Sequence, residues 1–192
     1  MSIGRPRNNA HSDAAKEAAL QLLTEHGYAA ISMEAVAQHT GIAKQTLYRR
    51  WKNKRDLILD AFVDDANRMP PAADTGSLEE DLRLYLRQTA TLLNSNCGVT
   101  NRALMAEGLQ DSDFLKELRE RHLIKRRTRL RDIIRRKHTH FTEEQETFLV
   151  DLALGPVWYR LLVQNAPLND AFTDALAHQV TRAARELETQ TS

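Results

Sequence analysis

Apolar residues recur along this chain at intervals of three and four, and nowhere do they alternate with polar ones over a sustained run. β-branched residues are scattered rather than gathered, so the pattern offers no strand. What remains is a fold of packed helices, all-α, with about nine of them. Ala15, Ala18, Leu22 and Leu23 mark a first helix that stops near Gly27. Ser32 can cap a short second helix carrying Val36 and ending at Gly41. A third runs from about Ala43 through Trp51, and Asn53 opens a fourth with Leu57, Ile58 and Phe62 on one face.

The stretch Met69-Pro-Pro-Ala-Ala-Asp-Thr-Gly76 is the clearest linker, because paired prolines and a glycine stop helices on both sides. Beyond it, Ser77 with Glu80 reads as a capping box opening a helix with Leu78, Leu82, Leu86 and Leu93. A short helix near Arg102–Glu107 follows, then a long basic one from about Asp113 to Lys137. Thr142 with Gln145 makes a second capping box, for a helix reaching about Gln164 that Gly155-Pro156 should kink or break. The last helix carries Phe172, Leu176, Val180 and Leu187. The expected division is a head at residues 1–60 and a bundle at 61–192.

Composition narrows the function. The single Cys97 excludes an internal disulfide framework and a thiolate zinc site, and it suits a reducing compartment. No stretch approaches the roughly 18–20 apolar residues of a membrane span, and the first residues carry no signal-peptide core, so the expected location is the cytoplasm. The net charge of +1 hides two basic patches. Residues 44–55 hold six basic residues and no acid, while Lys116 to Lys137 hold eleven against three acids. Either can meet a polyanion.

The first patch lies in Ser32-Met-Glu-Ala-Val-Ala-Gln-His-Thr-Gly-Ile-Ala-Lys-Gln-Thr-Leu-Tyr-Arg-Arg-Trp51. Two short helices joined by a tight turn need a small residue where they approach, a glycine in the turn and an apolar lock. Ala37, Gly41 and Leu47 fill those roles. The second helix then turns Lys44, Gln45, Thr46, Tyr48 and Arg49 outward, donors suited to base edges and phosphates. Spacing alone fits a DNA-reading pair of helices and an ordinary helical hairpin equally well.

Gly41-Ile-Ala-Lys-Gln-Thr-Leu-Tyr-Arg-Arg-Trp-Lys-Asn-Lys-Arg-Asp-Leu57 resembles the motif of the tetracycline-repressor (TetR) family, over roughly residues 10–60. Asp74-Thr-Gly-Ser-Leu-Glu-Glu-Asp-Leu82 and Gly155-Pro-Val-Trp-Tyr-Arg-Leu161 are similar to the C-terminal domain of an actinobacterial subfamily. Ala43 departs from the family, which often has a capping Ser or Thr there. The resemblance implies a transcriptional repressor that binds a palindromic operator as a homodimer and answers to a small-molecule effector. Carried over, it makes Tyr48, Arg50 and Lys54 phosphate contacts and Lys44, Gln45 and Thr46 base readers, with Arg49 and Ser32 beside them. Arg5 and Arg7 become an arm toward the minor groove or backbone, or else a simple basic tail. The last two long helices pair with their twins, with Val157, Leu161, Phe172, Leu176 and Val180 as the expected exposed apolar face. The bundle holds the effector, with Tyr85, Arg127 and Trp158 as candidate contacts.

Other readings are weaker. Leu123, Leu130 and Ile134 form a buried stripe in the second basic run, so its arginines mostly solvate the opposite face. Trp51 and Leu47 fit a core better than a base stack. The histidines show no ligand spacing, so no metal is expected, nor any cofactor. No nucleophile elbow or phosphate-cradling loop argues for an enzyme. An architectural DNA-binding dimer without an effector stays open.

Overall fold

Local signals set the helix ends. Ser32 Oγ accepts from the Ala35 N–H at 3.0 Å and opens a helix that closes at Gly41, whose φ of 70° is the left-handed region where glycine is at ease. Asn53 Oδ1 accepts from the Asp56 N–H at 3.0 Å and starts the next long helix. Thr142 and Gln145 form both halves of the expected capping box. At Ser77 only half forms: its hydroxyl accepts from Glu80 N–H at 3.4 Å, while the Glu80 carboxylate turns to Arg83. An arginine one turn on outcompetes a backbone N–H for a carboxylate.

The computed structural model describes residues 7–66 and 70–191. The helices are α1 (Arg7–His26), α2 (Met33–Thr40), α3 (Lys44–Tyr48), α4 (Lys54–Ala66), α5 (Leu78–Leu93), α6 (Asn96–Gly108), α7 (Ser112–Leu118), α8 (Ile124–Arg135), α9 (Glu143–Tyr159) and α10 (Asp170–Thr191). A π turn at Arg119–Leu123 joins α7 to α8 without a break, so the described residues form nine α-helical runs, a short 3-10 turn at Tyr28–Ala30 and no strand. The fold is all-α, as the periodicity requires. Two expectations shift. The helix placed near Arg102–Glu107 begins already at Asn96, and α9 passes through Pro156 unbroken, followed by a π turn at Arg160–Gln164. Leu154, Val157 and Leu161 are buried on both sides of the proline, and that packing outweighs one missing hydrogen bond.

The chain falls into two compact units, Met1–Met69 with Val99–Leu118, and Pro70–Gly98 with Arg119–Ser192. In the first, α1 packs on α4 and α2, and α2 on α3. Leu23, Val36, Leu47, Leu57, Ile58 and Phe62 are fully buried there. Lys16 of α1 binds Asp60 and Asp64 of α4 at 2.9 and 2.6 Å. The loop between α6 and α7 belongs to this unit: Arg55 of α4 reaches Asp111 and lies 4.7 Å over the Phe114 ring.

The second unit pairs α5 antiparallel with α10, where Arg87 grips the Asp174 carboxylate with two bonds of 2.8 and 2.6 Å. Its core gathers Leu82, Leu86, Leu130, Ile133, Leu149, Val157, Leu176 and Val180. The basic run is largely tied down: Arg131 and Arg135 meet buried Glu146, and Arg136 and Lys137 meet Asp74. These arginines stitch helices together besides solvating a surface.

His122 in the π turn is 4% exposed. Burial, then the charges of Arg126 and Lys125, lower its pKa from 6.5 to about 3. The folded chain keeps it neutral while the unfolded chain protonates it below pH 6.5. Stability is therefore unaffected above that point and lost as pH falls toward 3, at about 1.4 kcal/mol per unit. Denaturant unfolding at pH 7.5 and 5 should show wild type losing about 2 kcal/mol more than His122→Gln. Equal losses would mean that His122 is not held neutral.

Candidate nucleic-acid interface

The α2–turn–α3 segment is built from a buried side and an exposed side. Val36, Ala37, Leu47 and Trp51 are buried, which fixes α3 against the unit that carries it. The Trp51 indole N–H donates to Asp60 of α4 at 3.1 Å, a further tie. Within the turn, Thr40 hydroxyl donates to Val36 O at 2.7 Å and accepts from the Ile42 N–H at 3.3 Å. Ala43 opens α3 without a side-chain cap, so its first N–H groups carry no side-chain acceptor from that position.

The outward side carries Lys44, Gln45, Tyr48, Arg49 and Arg50, all exposed. Tyr48 is 47% accessible, high for a large aromatic. Lys44 pairs with Glu34 of α2 at 3.2 Å. The Glu34 carboxyl lies below its ordinary range, first through a hydrogen bond from its own backbone and then through Lys44. Both partners are more than half exposed, so this pair gives way easily to a stronger anion. Thr46 is half-buried and lines a crevice of about 180 Å³ with His11 and Ser12 of α1. The Arg50 guanidinium stacks 5.4 Å over Trp51.

Two of the expected residues already have partners within the chain. Ser32 spends its hydroxyl on the α2 cap. Lys54 donates to the Tyr28 carbonyl at 2.8 Å and lies 4.3 Å over the Tyr28 ring, leaving two of three ammonium donors for another acceptor. Arg5 and the Arg7 side chain lie outside the described residues. Sequence reasoning missed the Tyr28–Glu107 and Arg55–Asp111 pairs, since acids more than fifty residues away carry no local signal. Burial, then Glu107, raises the Tyr28 hydroxyl pKa above its ordinary value.

The residues expected to form an exposed apolar face need correction. Val157, Leu161, Leu176 and Val180 are buried in the core of their own unit, and Phe172 is half-buried under the Arg160 guanidinium at 4.0 Å. The exposed apolar residues of α9 and its π turn are instead Phe148, Tyr159, Leu162 and Val163. Among the candidate effector contacts, Tyr85 is buried with its hydroxyl donating to Arg126 O at 3.3 Å, and Trp158 packs half-buried on the same core. Arg127 is one-third exposed and paired with Asp151. Three buried oxygens of this unit, Asp81 Oδ2, Thr89 Oγ1 and Thr181 Oγ1, make no hydrogen bond within the chain.

His138 and His140 both approach Glu188, at 2.6 and 3.7 Å, but the described residues hold no group of three His, Cys, Asp or Glu set to bind a metal. No described helix is long and apolar enough to cross a membrane.

Comparison with known proteins agrees with this geometry. Residues 17–61 match the family described as bacterial regulatory proteins, tetR family, and residues 72–180 match the tetracyclin repressor-like C-terminal domain. The HTH-type transcriptional regulator YdeS of Bacillus subtilis (strain 168) is 31% identical over 88% of this chain and 87% of its own length. The DNA-binding transcriptional repressor TetR of Mycobacteroides abscessus is 42% identical over 40% of each chain. The crystal structure of the TetR family transcription regulator SCO0332 superposes with a TM-score of 0.73 at 26% identity, covering 92% of this chain and 98% of the other.

Proposed function

The chain belongs to the tetracycline-repressor family of DNA-binding transcriptional regulators, and from that premise we propose a ligand-responsive repressor that binds a palindromic operator as a homodimer. Residues 1–60 read DNA, and residues 61–192 bind the effector and pair the copies. The observation that carries the reading is the exposed row Lys44, Gln45, Tyr48 and Arg49 on a helix whose opposite side, Leu47 and Trp51, is locked into the core. A rigid short helix offering donors on one side fits a major groove. Lys44, Gln45 and Thr46 reach base edges, with Arg49 beside them. Tyr48, Arg50 and Lys54 hold phosphates, Ser32 shapes the approach of α2, and Arg5 and Arg7 extend toward the neighbouring groove.

Selection from random DNA tests the assignment. Gln45→Ala should relax preference at one or two base pairs, each worth about 1–3 kcal/mol. Lys54→Ala should weaken all sequences alike and lower the salt slope by roughly one unit. The same selected motif from Gln45→Ala and wild type would sink the base-reading role.

The effector reading draws on Tyr85, Trp158 and Arg127, together with the buried oxygens of Asp81, Thr89 and Thr181. A compound that stabilises the free protein in a thermal-shift screen should bind more weakly once operator is present, by the same factor by which it weakens DNA binding. Couplings of about 1–3 kcal/mol are typical. Equal affinity with and without operator would leave an architectural DNA-binding dimer.

A further inference from the structure

We propose that Glu34 and Lys44 act as one unit that reads a single G·C base pair, the ammonium meeting guanine and the carboxylate meeting cytosine. The proposal rests on the DNA-reading role of α3 and adds a residue of α2 to the base readers.

Glu34 is the only acid between Glu25 and Asp56, a stretch that also holds Lys44, Arg49, Arg50, Lys52, Lys54 and Arg55. In a segment given over to a polyanion, a lone carboxylate needs a reason. Its place supplies one. The carboxylate lies 3.2 Å from the Lys44 ammonium, across the turn between α2 and α3, and both side chains are more than half exposed. Lys44 is the first residue of α3, and the N-terminal residues of a recognition helix are the ones that meet base edges. Among the described residues no acid pairs with Arg49 or Arg50, the cations further along the same face.

Phosphates repel a carboxylate. Only a donor on a base edge favours one in the groove, and the major groove offers two, the amino groups of cytosine and adenine. Lys44 alongside narrows the choice. Guanine presents two adjacent acceptors, O6 and N7, and a lysine meets them together. Within a G·C pair, guanine O6 and cytosine N4 are themselves hydrogen-bonded, about 2.9 Å apart. That spacing is close to the 3.2 Å between ammonium and carboxylate. An A·T pair would instead set a thymine methyl beside the two charges.

The count of groups agrees. An ammonium has three donors; Glu34 takes one, and two remain for guanine O6 and N7. A carboxylate has about four acceptor sites. The Glu34 backbone N–H, Lys44 and the Tyr48 hydroxyl fill three, and one remains for the free cytosine N4–H. The same three donors fix where the carboxylate points, so the unit meets DNA already assembled.

Selection from random DNA tests the unit in the full-length chain. Wild type should select one G·C pair at a fixed position of each half-site, and changing it to A·T should weaken binding about 10- to 100-fold. Glu34→Ala and Lys44→Ala should both relax that same position, because each removes half of one contact. Glu34→Gln, which keeps an acceptor for cytosine, should retain part of the preference. On DNA lacking the selected sequence, Glu34→Ala should bind about 2- to 5-fold more tightly than wild type, since a negative charge has left the face that meets phosphates. A purely structural role for Glu34 predicts the reverse, weaker binding to every sequence alike with no position relaxed. A position that Lys44→Ala relaxes and Glu34→Ala does not, or an A·T pair at the shared position, overturns the unit while leaving α3 its reading role. A wild type that selects no sequence overturns both.

Discussion

A full-length chain carrying Leu162→Arg is expected to lose operator affinity by about 10²- to 10⁴-fold while its helices stay folded. Leu162 is 37% exposed and lies outside the buried core, so the change removes little packing from the monomer. Surface substitutions of this kind usually stay within about 0.5 kcal/mol. A homodimer closing over the exposed apolar side of α9, with Phe148, Tyr159 and Leu162, would bury that unpaired guanidinium and desolvate it. Without the dimer, each head binds one half-site alone. The second head then no longer gains from the millimolar effective concentration that linkage supplies. Sedimentation should show a monomer, far-ultraviolet circular dichroism an unchanged helix content, and the salt slope for DNA should fall to about half. A dimer of normal affinity would move the interface away from this face of α9.

The contrast between Leu162 and Val157 shows what a sequence can and cannot say. Apolar residues surround α9, and a helix apolar on two sides has no single stripe to point inward. Val157, Leu161, Leu176 and Val180 are legible as apolar helix positions, but whether each meets its own chain or a twin depends on how α5, α8 and α10 dock. By contrast the head is legible almost throughout. Its caps at Ser32 and Asn53, its turn at Gly41 and its buried Leu47 and Trp51 all depend on neighbours within a few residues. Local chemistry writes itself locally.

Long-range charge is the part that stays hidden. Arg55 looks like one more basic residue beside Lys52 and Lys54, yet it is taken up by Asp111 and the Phe114 ring. Arg127 reads as a free cation for an effector, yet it pairs with Asp151 of α9. Glu80 looks like the second half of a capping box until Arg83 claims it. In each case a flexible charged side chain chooses between partners of similar strength, and position in three dimensions decides.

Trp51 gives the largest expected loss of stability in the head. Trp51→Ala should cost about 3–5 kcal/mol, a third or more of the roughly 5–15 kcal/mol that holds a domain folded. The indole is 5% exposed, supports the Arg50 guanidinium and donates to Asp60. Its removal opens a cavity directly behind α3, so operator binding should vanish although the substituted residue itself offers nothing to DNA. Trp51→Phe separates packing from the hydrogen bond. It keeps a ring under Arg50 and leaves Asp60 its partner Lys16 at 2.9 Å, so only about 1 kcal/mol should be lost. DNA affinity should stay near wild type. A tryptophan that stacked on bases would behave in the opposite way: alanine would leave the melting temperature nearly unchanged and weaken binding by about 1–3 kcal/mol. Thermal unfolding and operator titration of both variants separate the two cases, because a core residue loses stability first and affinity only as a consequence.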